Sequence, residues 1–397
     1  MTTIELIERR ANKHLRRWLG IPPSFSSVGL YIRSGQLQLP LSSVVEEYKV
    51  AKCRVVLSLR DSNDDLISQA GMTTRSGRKW AANVAVDQAV SSLKLRDIVG
   101  NQCIHRQGLG SAQFQTWGGS QGAWTKWDLP RRKVPWRELW RLEPYHISFL
   151  LRYVYDTLPS PVHLHTWSLR EDPLCKLCGK RGTLAHILSG CKTSLTQGRY
   201  RWRHDKVLLS LADTIERERV KKRPANTTAR RAITFVKEGT GPSQTTKRKR
   251  TSILQAASSW EMRVDVGRRL QFPEVVQTSL LPDIVLWSSK DQKIILVELT
   301  VPWEEGCEEA HERKAAKYQQ LAQDCRDRGW QAWVFPVEIG CRGFPARSAW
   351  SFLSAIGMDE HSKKQAARRM GEEAERASCW IWSKREEESW KPGADGQ

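Results

Sequence analysis

Two carboxylates and two lysines in the last third of the chain have the types and spacing that phosphodiester chemistry needs. Asp283 follows Pro282, fourteen residues separate it from Glu298 in Val297-Glu298-Leu299-Thr300, and Lys314 and Lys317 come next. Ile284 to Trp287 and Lys293 to Val301 are short apolar runs around the polar Ser288-Ser289-Lys290-Asp291-Gln292, the pattern of a β-hairpin. A turn centred between Lys290 and Asp291 pairs residues whose numbers add to 581, which sets Asp283 opposite Glu298. Opposed Cβ atoms lie roughly 4.5–5.5 Å apart. Both carboxylates could then share Mg²⁺, which takes one or two carboxylates and fills its shell with water and phosphate oxygens. From Glu304 to about Arg326 the composition favours helix, and Lys314, Lys317 and Leu321 fall at i, i+3 and i+7, on one face. A lysine there can stabilise charge on a phosphate or orient a water, while a metal lowers the water's pKa. The plain alternative is an ordinary hairpin with solvated acids beside a solvated helix, since Glu304, Glu305, Glu308, Glu309 and Glu312 make this stretch highly charged in any case.

Upstream, Cys175-Lys-Leu-Cys178, seven residues, His186, four residues and Cys191 offer three thiolates and one imidazole within seventeen residues. Tetrahedral zinc takes such a set at such spacings. Gly179, Gly182 and Gly190 stand where a tight metal loop needs permissive backbone. Zinc here is expected to be structural, because protein fills all four positions. Two unrelated buried cysteines and a helical histidine are the competing explanation.

These motifs resemble those of a known family. Pro282-Asp283, fourteen residues, Glu298-Leu299-Thr300, a lysine helix reaching Lys317-Tyr318, and Phe335-Pro336-Val337-Glu338-Ile339-Gly340-Cys341-Arg342-Gly343-Phe344 resemble the restriction-like endonuclease domain of site-specific non-long-terminal-repeat retrotransposons. That domain has the PD-(D/E)xK nuclease fold. The zinc knuckle, with Gly182-Thr183-Leu184-Ala185-His186-Ile187-Leu188-Ser189-Gly190-Cys191, resembles the one preceding it. Thr300 stands where the general pattern has a lysine; in the retrotransposon version the lysine comes from the following helix, which suits Lys314 or Lys317. Arg203-His204-Asp205, on a helix expected from about Gly198 to Ala212, means little alone. The resemblance implies an accessory role for this triplet, in phosphate contact or in positioning the metal site. It also implies Mg²⁺-dependent nicking of target DNA to leave a 3′-hydroxyl that primes reverse transcription, with the element RNA, and a reverse transcriptase domain supplied by another chain, as further partners.

Charge agrees with a polyanionic partner. The 397 residues carry a net +21, distributed as +11 over residues 1–170, +13 over 171–250 and −3 over 251–397, so the basic excess lies outside the candidate nuclease core. Lysines and arginines release condensed counterions from nucleic acid, and affinity then falls steeply with salt. No basic amphipathic helix with a bulky apolar face suggests a membrane. Three of nine cysteines are assigned to zinc, and the scatter of Cys53, Cys103, Cys307, Cys325, Cys341 and Cys379 fits free thiols in a reducing compartment. No signal peptide or apolar stretch of about 18 residues is visible. Lys247-Arg248-Lys249-Arg250 could direct the chain to the nucleus or serve as a phosphate-binding linker.

The expected class is α+β and multidomain: a mainly helical N-terminal part, a CCHC zinc knuckle and an α/β PD-(D/E)xK nuclease core. Residues 1–110 form a thumb-like segment with helices over 4–19 and 41–60, in the second of which Leu41, Val44, Tyr48, Ala51, Val55 and Leu59 make one buried stripe. Its His14-Leu15-Arg16-Arg17-Trp18-Leu19-Gly20 looks like the segment after a reverse transcriptase palm. The palm is absent, since the adjacent acids Asp64-Asp65 lack the aromatic-x-Asp-Asp hairpin a polymerase needs. Residues 111–170 interleave Trp117, Trp124, Trp127, Trp136 and Trp140 with lysines and arginines, as a base-stacking platform or a core would. The knuckle occupies 171–195, the Arg-His-Asp helix 196–219, a flexible basic linker 220–251 and the nuclease core 252–357. Residues 358–397 form a charged helical tail with a disordered end, with Trp380, Trp382 and Trp390 as docking points. The competing functions are a catalytically inactive nucleic-acid-binding remnant and a zinc-dependent RNA-binding adaptor.

Overall fold

A computed structural model describes residues 3–23, 25, 27–31, 37–60, 63–64, 91, 96–99, 102–105, 129–222, 252–267 and 270–392. Trp117, Trp124 and Trp127, residues 223–251 of the expected linker with its Lys247-Arg250 cluster, and the last five residues lie outside them. The chain divides into two compact units, Met1–Leu158 and Pro159–Gln397, and is an α+β protein. No helix among the described residues is long and apolar enough to cross a membrane.

The first unit comprises α1 (Thr3–Trp18), α2 (Val28–Tyr31), β1 (Leu37–Gln38), α3 (Val44–Arg60), the antiparallel pair β2 (Arg96–Val99) and β3 (Gln102–His105), β4 (Arg132–Lys133), α4 (Trp136–Leu139) and α5 (Pro144–Val154). β4 pairs in parallel with β1. Leu19, Phe25, Leu30, Leu37, Leu139, Phe149 and Tyr153 form its interior, and the Tyr155 hydroxyl donates to the Gly29 carbonyl at 2.8 Å. The apolar stripe expected over residues 41–60 holds at Leu41, which is buried, but not along α3, and the Leu59 side chain lies outside the described residues. Val44, Tyr48 and Val55 are exposed, and Glu46 and Val50 face inward instead. The reason lies at the N-terminus of α3, where Ser43 Oγ and the Val45 N–H donate to Glu8 of α1 at 2.6 and 2.8 Å. These polar contacts set which side of α3 meets α1, overriding its weak apolar periodicity.

The second unit contains α6 (Pro161–Thr166), the knuckle, α7 (Lys192–Thr196), α8 (Arg199–Lys222), β5 (Glu261–Val264), β6 (Ile284–Ser288), β7 (Lys293–Thr300), α9 (Cys307–Asp327), β8 (Gln331–Glu338), α10 (Arg347–Ala355) and α11 (Glu360–Ser383). The sheet order is β5-β6-β7-β8. β5, β6 and β7 run antiparallel in succession, then α9 crosses over and β8 pairs in parallel with β7. β6 and β7 are apolar on both sides because both faces are covered, as the continuous Ile, Val and Leu runs require. On one face Val285, Trp287, Ile294 and Leu296 pack against Tyr318, Leu321, Ala322 and Cys325 of α9.

Two boundaries differ from the sequence reading. α8 continues to Lys222, so residues 220–222 close a helix rather than open a linker, and α9 begins at Cys307 after a 3₁₀ turn over Glu304–Gly306. The charged tail is an integral helix: Ala366, Ala367, Met370, Ala374, Ala377 and Ile381 of α11 are buried. α11 approaches the β8–α10 loop closely enough that a Cβ on Gly371 would collide with the Gly343 carbonyl oxygen, which leaves space for glycine alone. Past α11 the chain folds over fully buried Arg199, which donates to the carbonyls of Lys384 and Glu387 at 2.6 and 2.5 Å and lies 5.1 Å from the Trp390 ring. Of the expected docking tryptophans, Trp382 is buried and Trp390 meets Trp202 edge-on at 5.5 Å.

Buried Glu304 carries a pH-dependent part of the stability. Its carboxylate accepts from the Arg342 N–H at 2.5 Å and sits 3.7 Å from that guanidinium, which stacks on Trp303. Burial outweighs the arginine and lifts the carboxyl from 4.5 to about 7. The folded chain therefore holds this proton more tightly than the unfolded chain does. Its stabilisation is complete below the unfolded value and is lost as the pH rises through about 7, a change on the order of 3 kcal/mol. Urea unfolding of the parent and Glu304→Gln at pH 5 and 7.5 should give a smaller drop for the variant; equal drops would refute this.

Candidate active site and metal centre

The hairpin register is the one the spacing predicts. Ile284 pairs with Val297, Trp287 with Ile294 and Ser288 with Lys293, each pair adding to 581. Asp283 and Glu298 lie one step beyond the last rung and continue the row that faces α9, because side chains alternate along a strand. Each acid ties off the frayed ladder end: the Asp283 N–H donates to Glu298 Oε2 at 3.2 Å, and the Leu299 N–H donates to Asp283 Oδ2 at 2.8 Å. Both carboxylates are buried.

α9 supplies the lysines. Lys314 Nζ donates to Glu298 Oε1, and Lys317 Nζ stands 3.7 Å from the same oxygen while donating to the Tyr318 hydroxyl at 2.8 Å. Lys314 is the more enclosed, with 23% of its side chain exposed against 40% for Lys317. Thr300, which replaces the lysine of the general pattern, has its hydroxyl buried without a hydrogen-bond partner.

α8 closes the other side. His204 Nε2 reaches Asp283 Oδ2 at 3.2 Å and the Leu299 carbonyl at 3.3 Å, and its Nδ1 reaches Asp205 Oδ1 at 3.1 Å. Burial pulls the imidazole pKa down, but the bonds to Asp205 and Asp283 outweigh it and lift it to about 9. The ring is therefore an imidazolium near neutral pH, donating from both nitrogens. Arg203 is placed differently from its neighbours in the triplet. It is buried, donating to Ser378 Oγ at 3.0 Å and the Val301 carbonyl at 3.2 Å, so it joins α8 to α11 and to the end of β7.

The arginine beside the acids is Arg201, which the sequence reading missed. It pairs with Asp205 Oδ1 at 2.8 Å, lies 3.6 Å from Asp265 Oδ2 and 3.9 Å from Asp283 Oδ1, and donates to the Asp265 carbonyl at 2.7 Å. Buried Asp265 just after β5, also missed, is held by the Leu270 N–H at 3.0 Å, and its own N–H donates to the Asp283 carbonyl at 2.8 Å. The i, i+4 spacing of Arg201 and Asp205 was a usable signal; nothing local marks Asp265. Asp205, Asp265, Asp283 and Glu298 thus meet Arg201, His204, Lys314 and Lys317, four carboxylates against four cations.

Cys175, Cys178, His186 and Cys191 converge, their ligand atoms all within 4.8 Å of one another. Among the described residues this is the one group of three or more Cys, His, Asp or Glu side chains close enough to share an ion. A short turn brings the first two cysteines together: the Cys175 N–H donates to the Lys180 carbonyl at 2.6 Å, the Gly179 N–H donates to the Cys175 carbonyl at 2.8 Å, and Gly179 adopts φ +67°. His186 opens a single π-helical turn to Gly190, and Cys191 follows. The Tyr200 hydroxyl of α8 accepts from the Cys191 N–H at 3.1 Å and donates to the Ile187 carbonyl at 2.8 Å. Three thiols and an imidazole at these separations suit a closed tetrahedral zinc site.

No family model and no curated protein matches the chain.

Proposed function

We propose that the chain is a Mg²⁺-dependent DNA endonuclease with a PD-(D/E)xK core, the nicking module of a retrotransposon protein, with a structural zinc knuckle and basic segments that bind target DNA and element RNA. The observation that supports this most is the acid pair at the end of the β6–β7 ladder with the Lys314 ammonium on Glu298. The sheet supports it too, with two antiparallel pairings followed by a helical crossover into a parallel strand. A bound Mg²⁺ would polarise the phosphate and lower the pKa of its water. Asp283 and Glu298 would hold that ion. The site as it stands balances four negative against four positive groups, so a divalent cation would make it net positive, which suits a phosphodiester. Lys314 would leave Glu298 for a phosphate oxygen, and His204 and Arg201 would hold Asp283 in place. A nuclear location is part of this reading, and the free thiols of Cys307, Cys325, Cys341 and Cys379 are consistent with a reducing compartment.

A nucleic-acid-binding protein without catalysis is the second reading. It is favoured by the internal partners that both carboxylates already have. A supercoiled-plasmid assay with Mg²⁺ separates the two: nicked circles support the nuclease, and unchanged plasmid despite tight binding supports the binding protein. The lysines refine the test. Lys314→Ala should slow nicking about 100-fold, in the range for removing one donor from a developing anion, and Lys317→Ala about tenfold or less, because its ammonium is farther from Glu298. The reverse order would assign the role to Lys317.

A further inference from the structure

A group of exposed aromatic rings in the first unit has no part in the acid site or the knuckle. Trp18 ends α1, and Trp136 and Trp140 begin and follow α4; they are 37%, 46% and 68% exposed. The Trp18 and Trp140 ring centroids are 5.2 Å apart, and Trp136 and Trp140 lie near parallel at 23° and 6.1 Å. Tyr145, at the start of α5, is 68% exposed as well. Indoles that a core would bury are left as one contiguous surface, the kind of patch that soluble proteins keep for a partner.

The neighbouring charges indicate which partner. Each tryptophan has an exposed arginine beside it in sequence, Arg17, Arg137 and Arg141, with exposed Arg131 just ahead of β4 and exposed Lys133 on it. Glu138, between Trp136 and Trp140, is buried and paired with Arg132 at 2.9 Å, so it does not offset them. An apolar protein partner has no use for this cationic rim. A membrane-inserting face mixes bulky aliphatic residues with its aromatics; from Trp136 to Tyr145 the exposed large side chains are aromatic only, and the exposed aliphatic residues of α1, Leu6 and Ile7, stand about three turns from Trp18. Flat rings interleaved with cations suit unpaired bases on a phosphate backbone, because every base has a π-face and duplex bases hide theirs.

We propose that Trp18, Trp136 and Trp140, flanked by Arg17, Arg137 and Arg141, form a stacking surface for single-stranded nucleic acid. It does not depend on the nuclease reading. Fluorescence anisotropy with labelled 20-nucleotide single-stranded DNA, the matching RNA and a DNA duplex tests it, with every protein carrying Asp283→Asn so that cleavage plays no part. Trp140→Ala should weaken single-strand binding roughly 5- to 150-fold, the loss of one base stack, with the salt dependence and duplex affinity unchanged. Trp140→Phe should recover most of the loss and Trp140→Leu little, which distinguishes stacking from bulk. The paired change Arg137→Ala and Arg141→Ala should instead lower the salt slope by about 0.7 for each phosphate no longer neutralised. The DNA and RNA arms show which strand the surface holds. Three outcomes overturn the proposal: single-strand affinity unchanged in both Trp140→Ala and Trp140→Leu; an equal loss on duplex; or loss only of binding to anionic phospholipid vesicles or of self-association.

Discussion

Asp283→Asn and Glu298→Gln should each reduce Mg²⁺-dependent nicking by at least about 10³-fold, the effect of removing charge from a ligand to the ion that activates the attacking water. The amides keep the volume and one acceptor oxygen, so the Leu299 N–H to Asp283 bond and the Asp283 N–H to Glu298 bond can persist and the fold should survive. The two changes act on one unit, and the double variant should be little worse than either single one. Single-turnover nicking with matched thermal melts tests this. Parent-like cleavage by both variants would place the chemistry elsewhere in the chain and leave the acid pair as a cap on the ladder.

Removing zinc should have the larger structural effect. Between Leu174 and Cys191 the buried aliphatic side chains are Leu184, Ile187 and Leu188, a small core for such a loop, and structural zinc contributes on the order of 10–16 kcal/mol in small fingers. A zinc-selective chelator or Cys191→Ser should unfold residues 171–195 and loosen the start of α8, because the Tyr200 hydroxyl is bonded to the Cys191 N–H and the Ile187 carbonyl. His204 lies one turn further along that helix, so nicking should fall with excess Mg²⁺ present and both acids intact. Elemental analysis should find zinc in the parent and little in Cys191→Ser. A variant whose melting curve and proteolytic pattern match the parent would sink the structural role.

Legibility followed the length scale of the signal. The 581 register, the α9 lysines and the Cys-Cys-His-Cys spacing could be read because a tight turn and helical periodicity convert sequence separation into distance. Arg201 and Asp265 escaped notice because they meet across a separation of 64 residues with no periodic pattern linking them. The α3 stripe failed for a related reason: its orientation is set by Glu8, distant in sequence. Arg203 was grouped with the acids by its place in a triplet, but consecutive helical residues point about 100° apart, and it faces α11.

The two halves of the acid–lysine site have different tolerance to change. Glu298 sits on β7, hydrogen-bonded to a strand on either side, where a one-residue slip would turn it to the opposite face. The ammoniums come from a single helix with a second lysine one turn from the first. Over many generations of substitution the strand has no slack, whereas the helix keeps one ammonium beside Glu298 when the other is lost, so change in this centre should cost less at its lysines than at its acids.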